Sequence, residues 1–420
     1  MHPNALVEMT TELLGDVLKF EIPADAVVSS FFRRHRTLGP RERHTLAETV
    51  YAVVRQRLLF QHLAQSGSGP LERRLVLLAW QGNEGFLRGA LNPHEQAWLA
   101  DVQKVDRSSL PRKLRHSTPD WISQPLEQSL GADEFLTLAE SLNQPAPLDL
   151  RVNTLKAKRP EVKQILADAG IEATDTPYSP WGLRIEGKPA LNKLDVFTGG
   201  GVEVQDEGSQ LLALITDAKR GEMVVDFCAG AGGKTLALGA AMRNTGRLYA
   251  FDVSGHRLDS LKPRLARSGL SNVYPAQIAH ERDERIKRLA GKIDRVLVDA
   301  PCSGLGTLRR NPDLKWRQSP ATLAALRTQQ ASILRGAARL LKQGGRLVYA
   351  TCSLMASENE DIAAAFSAEF EREWAPVAVG DLLQAAKVEG WESLVSGPYL
   401  RLWPHRHATD GFFAAVWERR

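Results

Sequence analysis

Cysteines and long apolar runs are scarce in this chain of 420 residues. It contains three cysteines and no Cys-x-x-Cys pair, which argues against a disulfide framework and against a bound metal such as zinc. No apolar stretch approaches the ~18–20 residues that a membrane span requires. The first residues have no basic segment followed by an apolar core, so we expect no signal peptide. These absences predict a cytoplasmic protein with free thiols and no membrane partner.

Basic residues are clustered, although their total excess is small. The chain carries 54 basic and 49 acidic side chains, a net charge of +5. Residues 31–60 contain seven arginines and two glutamates, and residues 107–115 contain four basic residues and no acid. Clustered basic charge is typical of proteins that bind a polyanion, and an ordinary solvated surface is the alternative. We therefore predict a nucleic-acid partner.

The pattern of apolar residues predicts three domains. Residues 1–105 have helical spacing, since Leu46, Val50 and Val53 share one helix face. Residues 106–200 indicate a linker with a small α+β unit. From 201 to 420, strands alternate with helices, which is typical of a parallel sheet covered on both faces. The predicted fold class is therefore α/β, with a doubly wound, Rossmann-like sheet after a helical domain and a small α+β linker domain.

The predicted sheet has five principal strands, at 223–228, 247–253, 273–278, 293–300 and 346–351. A helix is predicted from 319 to 342, ended by Gly344-Gly345, and a last strand at 411–417. In the common strand order 3-2-1-4-5, the fourth and fifth strands are neighbours and the first flanks the fourth.

Two of the three cysteines directly follow these neighbouring strands. One motif is Asp299-Ala300-Pro301-Cys302-Ser303, and the other ends in Thr351-Cys352-Ser353. Ligands of open α/β sheets bind at the carboxyl ends of the strands. A thiolate there can add to an electron-poor ring carbon, with Asp299 within reach of the same ring. Methylation at C5 of cytosine needs such a set, because C5 becomes nucleophilic after a thiol adds at C6. Two buried packing cysteines are the alternative.

A glycine-rich turn follows the first predicted strand, at residues 228–234. A P-loop requires glycine where Cys228 stands, and a dinucleotide fingerprint requires glycine where Thr235 stands. S-adenosylmethionine is the third option, because it carries a ribose but no phosphate. Asp252, at the end of the second strand, suits the ribose hydroxyls, and a helix N-cap is the alternative for this residue.

These motifs resemble those of the RNA 5-methylcytosine methyltransferases of the Sun/Fmu family. The matching stretches are 150–153, 204–206, 226–235, 294–316, 347–359 and 410–413. The resemblance covers about residues 145–420, and the first 100 residues are assigned to the family's NusB-like helical RNA-binding domain. It implies a class I methyltransferase fold, S-adenosyl-L-methionine as cofactor and RNA as substrate, with rRNA favoured and tRNA as an alternative.

The resemblance also implies a role for each motif residue. Cys352 would be the nucleophile, Cys302 would help to release the product, and Asp299 would contact the cytosine. DNA cytosine-C5 enzymes instead use the cysteine of their Pro-Cys motif, so there the two roles are opposite. The implied cofactor-binding residues are Cys228, Ala229, Gly230, Ala231, Gly232, Gly233, Lys234, Asp252 and Asp299.

Two stretches depart from the family pattern. Gly230-Ala231 stands where the family has Ala-Pro, and the family's Gly-Asp after the third strand is missing, with Glu281 or Asp283 as a candidate substitute. These departures leave open a non-catalytic, RNA-binding ribosome-assembly factor. A DNA methyltransferase has less support, because no large target-recognition insert follows the catalytic strands. The basic and aromatic residues after Cys302 predict contact with RNA, and a solvated loop is the alternative; they are Arg309, Arg310, Lys315, Trp316 and Arg317.

Overall fold

The computed structural model describes residues 2–187 and 189–420. Two units divide the chain between them. The first comprises the chain as far as Pro145 together with Thr307–Pro320, and the second comprises Ala146–Gly306 and Ala321–Arg420. Among the described residues, no helix is long and apolar enough to cross a membrane.

The first unit is helical, as predicted for the start of the chain. Leu46, Val50 and Val53 are fully buried in its core. The helix that carries them begins at Pro40, whose fixed φ suits a first helical position. The helices of the N-terminal part are α1 (Pro3–Val17), α2 (Ala24–Arg34), α3 (Pro40–Arg55), α4 (Arg57–Ala64), α5 (Leu71–Leu78), α6 (Glu84–Arg88), α7 (Pro93–Gln103), α8 (Arg112–His116), α9 (Asp120–Leu130) and α10 (Ala132–Leu142).

The second unit begins with a small antiparallel sheet of order β2-β3-β1-β4. Leu150 and Val152 of this sheet pack on Val162 and Leu166 of a helix, which gives the sheet its own apolar core. Its elements are β1 (Leu148–Val152), α11 (Arg159–Asp168), β2 (Ala173–Asp175), β3 (Gly182–Ile185), α12 (Asp195–Thr198) and β4 (Val202–Val204).

A larger sheet of order β11-β12-β13-β9-β8-β5-β6-β7 follows, with β10 paired to β13. Its elements are α13 (Glu207–Thr216), β5 (Met223–Asp226), α14 (Gly233–Ala241), β6 (Arg247–Asp252), α15 (Gly255–Ser268), β7 (Val273–Gln277), α16 (Glu284–Lys287), β8 (Ile293–Asp299), α17 (Leu314–Arg317), α18 (Pro320–Ala338), β9 (Leu341–Thr351), α19 (Glu360–Glu369), β10 (Trp374–Val377), α20 (Val379–Ala385), β11 (Val395–Ser396), β12 (Tyr399–Leu402), α21 (Pro404–His407) and β13 (Phe412–Arg419).

The order of the five parallel strands, β7-β6-β5-β8-β9, confirms the predicted 3-2-1-4-5 arrangement. The helix before β9 ends at Ala338, so the prediction that it continues to Lys342 is wrong. Gly344-Gly345 lies inside β9 because that strand already pairs with β8 at Leu341, across a register shift.

The segment Thr307–Pro320 belongs to the helical unit, although it follows β8 in the chain. Lys315 is buried, and its Nζ donates to the carbonyls of Arg55 (3.0 Å) and Ser117 (3.3 Å) and to an Asn143 side chain (2.8 Å). The Trp316 indole N–H donates to a backbone carbonyl of α3 (2.9 Å). The prediction that Lys315 contacts RNA is therefore wrong, because its side chain is buried within the helical unit, whereas contact of RNA with the partly buried Trp316 stays a prediction.

Candidate active site

A cleft of about 600 Å³ lies at the carboxyl ends of the parallel strands β5, β6, β7, β8 and β9. Its position agrees with the general rule for ligand sites in open α/β sheets. The predicted site residues that line it are Cys228, Ala229, Gly230, Ala231, Gly233, Lys234, Asp252, Asp299, Cys302 and Cys352.

The two cysteines that follow β8 and β9 face each other in this cleft. Their Sγ atoms lie 3.4 Å apart, because the parallel pairing of the two strands brings both strand ends to one level. The contact with Cys352, together with burial, raises the pKa of Cys302 well above its ordinary value. Cys302 is therefore expected to stay protonated at a pH where an ordinary thiol ionises.

Asp299 and Lys234 form an ion pair beside the thiols. Lys234 Nζ donates to Asp299 Oδ2 at 2.7 Å and lies 5.7 Å from the centre of the Phe412 ring. Burial lowers the pKa of Lys234, but the charge and hydrogen bond of Asp299 outweigh it and leave the pKa above its ordinary value. The lysine therefore holds the aspartate, whose second oxygen can serve a ligand.

The glycine-rich turn is tied to the end of β6 by Asp252. The backbone N–H of Gly230 donates to Asp252 Oδ2 (2.8 Å), and that of Ser254 donates to Oδ1 (2.7 Å). Each carboxylate oxygen keeps a second lone pair for a ligand in the cleft. Gly232 does not line the cleft. The turn requires glycine there because its φ is +81° and a Cβ at this position would lie 2.1 Å from the Leu261 side chain.

Ala231, which stands where the family pattern has proline, is fixed by a side chain from α15. Arg264 donates to the Ala231 carbonyl at 2.7 Å and pairs with Glu203, which is buried at β4. A hydrogen bond thus restrains a position that a proline ring would otherwise restrain through φ.

The two acids proposed for the stretch after β7 differ in placement. Glu281 lines the cleft and accepts a hydrogen bond from Ser332 (2.5 Å). Both oxygens of Asp283 accept backbone N–H groups, from Ala279 (3.0 Å) and Arg285 (2.9 Å), where Asp283 caps α16. Glu281 is therefore the better candidate to face a cofactor.

Two buried acids were not among the predicted site residues. Asp226, at the end of β5, accepts a hydrogen bond from Thr235 (2.6 Å), while its Oδ1 has no hydrogen-bond partner. Burial, with the nearby Asp299, raises the pKa of Asp226 to about 7. Glu358 lies beneath the two thiols and is fully buried. The only signal for it in the sequence was its place in the stretch that matches the family after Cys352.

Two family models match the chain, one of them over most of its second half. Residues 213–418 match the model described as 16S rRNA methyltransferase RsmB/F. Residues 118–192 match the ferredoxin-like domain of RsmF/B-like methyltransferases.

Individual relatives match over nearly the whole chain. The "Probable ribosomal RNA small subunit methyltransferase B" of Synechocystis sp. is 33% identical and covers 96% of this chain and 97% of its own length. The protein of the same name from Bacillus subtilis is 28% identical over 96% of this chain and 89% of its own. Among solved structures, PH0851 has a TM-score of 0.78 and 27% identity, covering 99% of this chain and 98% of that chain.

Proposed function

Because the chain belongs to the RsmB/F family of S-adenosylmethionine-dependent rRNA methyltransferases, we propose that it methylates C5 of a cytosine through a covalent cysteine adduct. The observation that carries this proposal is the pair of thiols, 3.4 Å apart, beside the Asp299–Lys234 ion pair. Methylation of an exocyclic amine needs no thiol, whereas C5 gains nucleophilic character when a thiolate adds at C6.

The residues of the cleft fit the cofactor. S-adenosylmethionine supplies an electrophilic methyl group on a positively charged sulfonium. The cleft carries four carboxyl groups, of Asp226, Asp252, Glu281 and Asp299, and the unpartnered Oδ1 of Asp226 is available to a polar ligand group. We infer that Asp252 and the turn from Cys228 to Lys234 hold the cofactor.

The proposed reaction uses the roles that the family resemblance implies for the two cysteines. The Cys352 thiolate adds to C6 of the cytosine, and the electron pair of the C5–C6 bond becomes available at C5 for the incoming methyl group. Asp299, held by Lys234, forms a hydrogen bond with the polar edge of the base. In the release step a base removes the C5 proton, the C5–C6 double bond re-forms and the bond between C6 and Cys352 Sγ breaks. Cys302 assists this step from its position beside the attacking sulfur.

Methyl transfer to defined RNA tests this proposal. Purified protein is incubated with methyl-labelled S-adenosylmethionine and unmodified 16S rRNA or tRNA, and the RNA is digested to nucleosides. We expect label in 5-methylcytidine from rRNA. Label from tRNA alone would favour the tRNA alternative. No label in either RNA would contradict the proposal, and no cofactor binding at millimolar concentration in calorimetry would favour a non-catalytic assembly factor.

Exchange of the cysteines tests their separate roles. We expect Cys352→Ala to lower turnover at least about 1,000-fold, because no other group replaces the nucleophile. Cys302→Ala should trap a covalent protein–RNA complex that survives denaturing electrophoresis, because adduct formation continues while release is impaired. The double variant is the matched control and should form no adduct. An adduct in Cys352→Ala would instead reverse the two roles.

A further inference from the structure

Glu358 is a buried carboxylate whose hydrogen bonds all come from the surroundings of the two thiols. Its Oε1 accepts from the Ser303 backbone N–H (2.8 Å) and from Gln330 Nε2 (2.9 Å). Its Oε2 accepts from the Ser303 hydroxyl (2.5 Å) and from the Ser353 hydroxyl. Every oxygen of the carboxylate therefore has two donors, so the group is fully satisfied although solvent does not reach it.

These donors connect the loop that carries Cys302 with the loop that carries Cys352 through the carboxylate of Glu358. Ser303 directly follows Cys302, and Ser353 directly follows Cys352. The two serine hydroxyls lie 3.1 Å apart, and both bind the same oxygen of Glu358. Because the backbone of each cysteine continues into a serine held at that oxygen, movement of one loop relative to the other would break a buried hydrogen bond.

Neighbouring contacts hold Glu358 itself in place. Gln330 Nε2 also donates to the Pro301 carbonyl (2.9 Å), and the Tyr349 hydroxyl donates to the backbone carbonyl of Glu358 (2.6 Å). The side chain of Asn359, the next residue, donates to the backbone carbonyl of Ser353 (3.0 Å). The carboxylate is thus a fixed reference point for both loops.

The charge of Glu358 also acts on one of the sulfurs. After the contact with Cys352 and burial, Glu358 is among the causes that raise the pKa of Cys302. The raised pKa keeps Cys302 as a neutral thiol, which agrees with a role for Cys302 in release rather than in attack.

We propose that Glu358 is a positioning residue that holds Cys302 and Cys352 at one separation through both the attack and the release step. This inference rests on the proposed function, because it assumes that both thiols act on the same base. Its test therefore includes a measurement of thiol spacing that does not depend on methyl transfer.

Phenylarsine oxide measures that spacing, because one arsenic atom bonds two neighbouring sulfurs while the two thiol protons leave with the arsenic-bound oxygen as water. Peptide mapping of the wild-type protein should show Cys302 and Cys352 bridged by one arsenic atom. Glu358→Ala should lower the yield of this bridge at least about tenfold, because both serines lose their common acceptor. Glu358→Gln should keep it, since an amide can accept from Ser303 N–H and donate to the serine hydroxyls, which can turn to accept.

The same variants separate geometry from charge in catalysis. Glu358→Ala should lower kcat about 100-fold with KM for RNA changed less than about threefold, as expected for a displacement of reacting groups. Glu358→Gln should retain kcat within about tenfold, and its lost charge should move the pH midpoint of Cys302 alkylation to a lower pH.

Two variants on α19 serve as controls. Glu369→Gln removes an exposed carboxylate that pairs with Arg335, and it should leave bridging and kcat unchanged. Ile362→Ala destabilises the same helix by removing a buried apolar side chain, and it should lower stability while the arsenic bridge persists.

The outcomes distinguish this inference from the proposed function. The positioning role would be overturned if Glu358→Ala formed the arsenic bridge and turned over as well as the wild-type protein. It would also be overturned if Ile362→Ala lost the bridge as strongly as Glu358→Ala. If Glu358→Ala alone loses the bridge while the wild-type protein transfers no methyl group to cytosine, Glu358 still sets the thiol spacing and it is the proposed reaction that fails.

Discussion

At the scale of single residues, the Asp299–Lys234 pair combines a structural and a chemical role. The Lys234 side chain is 13% exposed and that of Asp299 is 26% exposed, so water screens the pair only in part. Loss of the aspartate would leave a largely buried ammonium without its ion-pair partner, and loss of the lysine would release the carboxylate that we assign to the base. The two roles can be separated because stability depends on the pairing of the two groups, whereas the reaction needs Asp299 held in place by Lys234 and is impaired by the loss of either residue.

A double-mutant cycle separates them. We expect Lys234→Met and Asp299→Asn each to lower the free energy of unfolding. The double variant should lose about 1–3 kcal/mol less than the sum of the two single losses, and this difference is the coupling energy of the pair. Methyl transfer should fall at least about 100-fold in both single variants and should not recover in the double variant. Urea unfolding and labelled-methyl assays measure the two quantities. Additive effects on stability, within about 0.5 kcal/mol, would show that the pair is not coupled.

At the scale of elements, the loops after β8 and β9 meet the start of β13 through backbone contacts. Gly306 N–H donates to the Cys352 carbonyl, and Gly411 N–H donates to the Gly306 carbonyl, both at 2.8 Å. A Cβ at Gly306 would lie 2.1 Å from the Gly411 oxygen and 2.8 Å from the Cys352 oxygen. These neighbours are backbone atoms, which cannot turn away as a flexible side chain can.

Gly306→Ala should therefore displace the loop that carries Cys352. We expect it to cost about 2 kcal/mol of stability, in the range for overpacking, and to lower methyl transfer more than about tenfold. Thermal unfolding and the labelled-methyl assay provide the measurements. Gly15→Ala in α1 is the matched control, because no atom lies within 4 Å of the position that the new Cβ would take. Alanine is also more favourable than glycine inside a helix, by up to about 1 kcal/mol. Equal behaviour of the two variants would contradict the close approach at Gly306.

At the scale of the whole molecule, more of the site than of the packing around it could be predicted from the sequence. The ends of β8 and β9 could be located because buried strands followed by turn residues have a clear pattern, and the usual strand order then predicted that Cys302 and Cys352 are neighbours. The loop positions Gly230 and Asp252 could be predicted for the same reason. Each of these inferences needed only local sequence and the general topology of doubly wound sheets.

Contacts between residues far apart in the chain could not be predicted. Lys315 and Trp316 have the composition of an RNA-binding loop, but their partners are carbonyls of the helical unit more than 150 residues away. Nothing local distinguishes a lysine that binds phosphate from one that binds buried carbonyls. Glu358 was missed for a similar reason, because its donors come from loops that meet only in the folded sheet.

The helical unit also contains a group that should make its stability depend on pH. Burial, with the positive charge of Lys315 and other neighbours, lowers the pKa of His116 to about 4. Its Nδ1 accepts the Thr118 backbone N–H at 3.1 Å, and a proton there would break this bond. The unfolded histidine binds a proton near pH 6.5, so between pH 6.5 and 4 the unfolded state holds more protons than the folded state. Stability contributed by His116 is therefore present above pH 6.5 and is lost as the pH falls towards 4.

We expect the free energy of opening of α8, α9 and α10 to fall by about 1.5 kcal/mol between pH 6.5 and pH 5 from this group alone. His116→Gln keeps an acceptor for the Thr118 N–H but cannot bind the proton. In this variant the free energy of opening should therefore fall less steeply as the pH falls. Hydrogen exchange of peptides from residues 112–142 measures the opening, and comparison with the wild type at each pH cancels the intrinsic exchange rate. His94→Gln, at an exposed position of α7, should keep the wild-type slope. If His116→Gln retains the full slope, other groups of the helical unit set its sensitivity to acid.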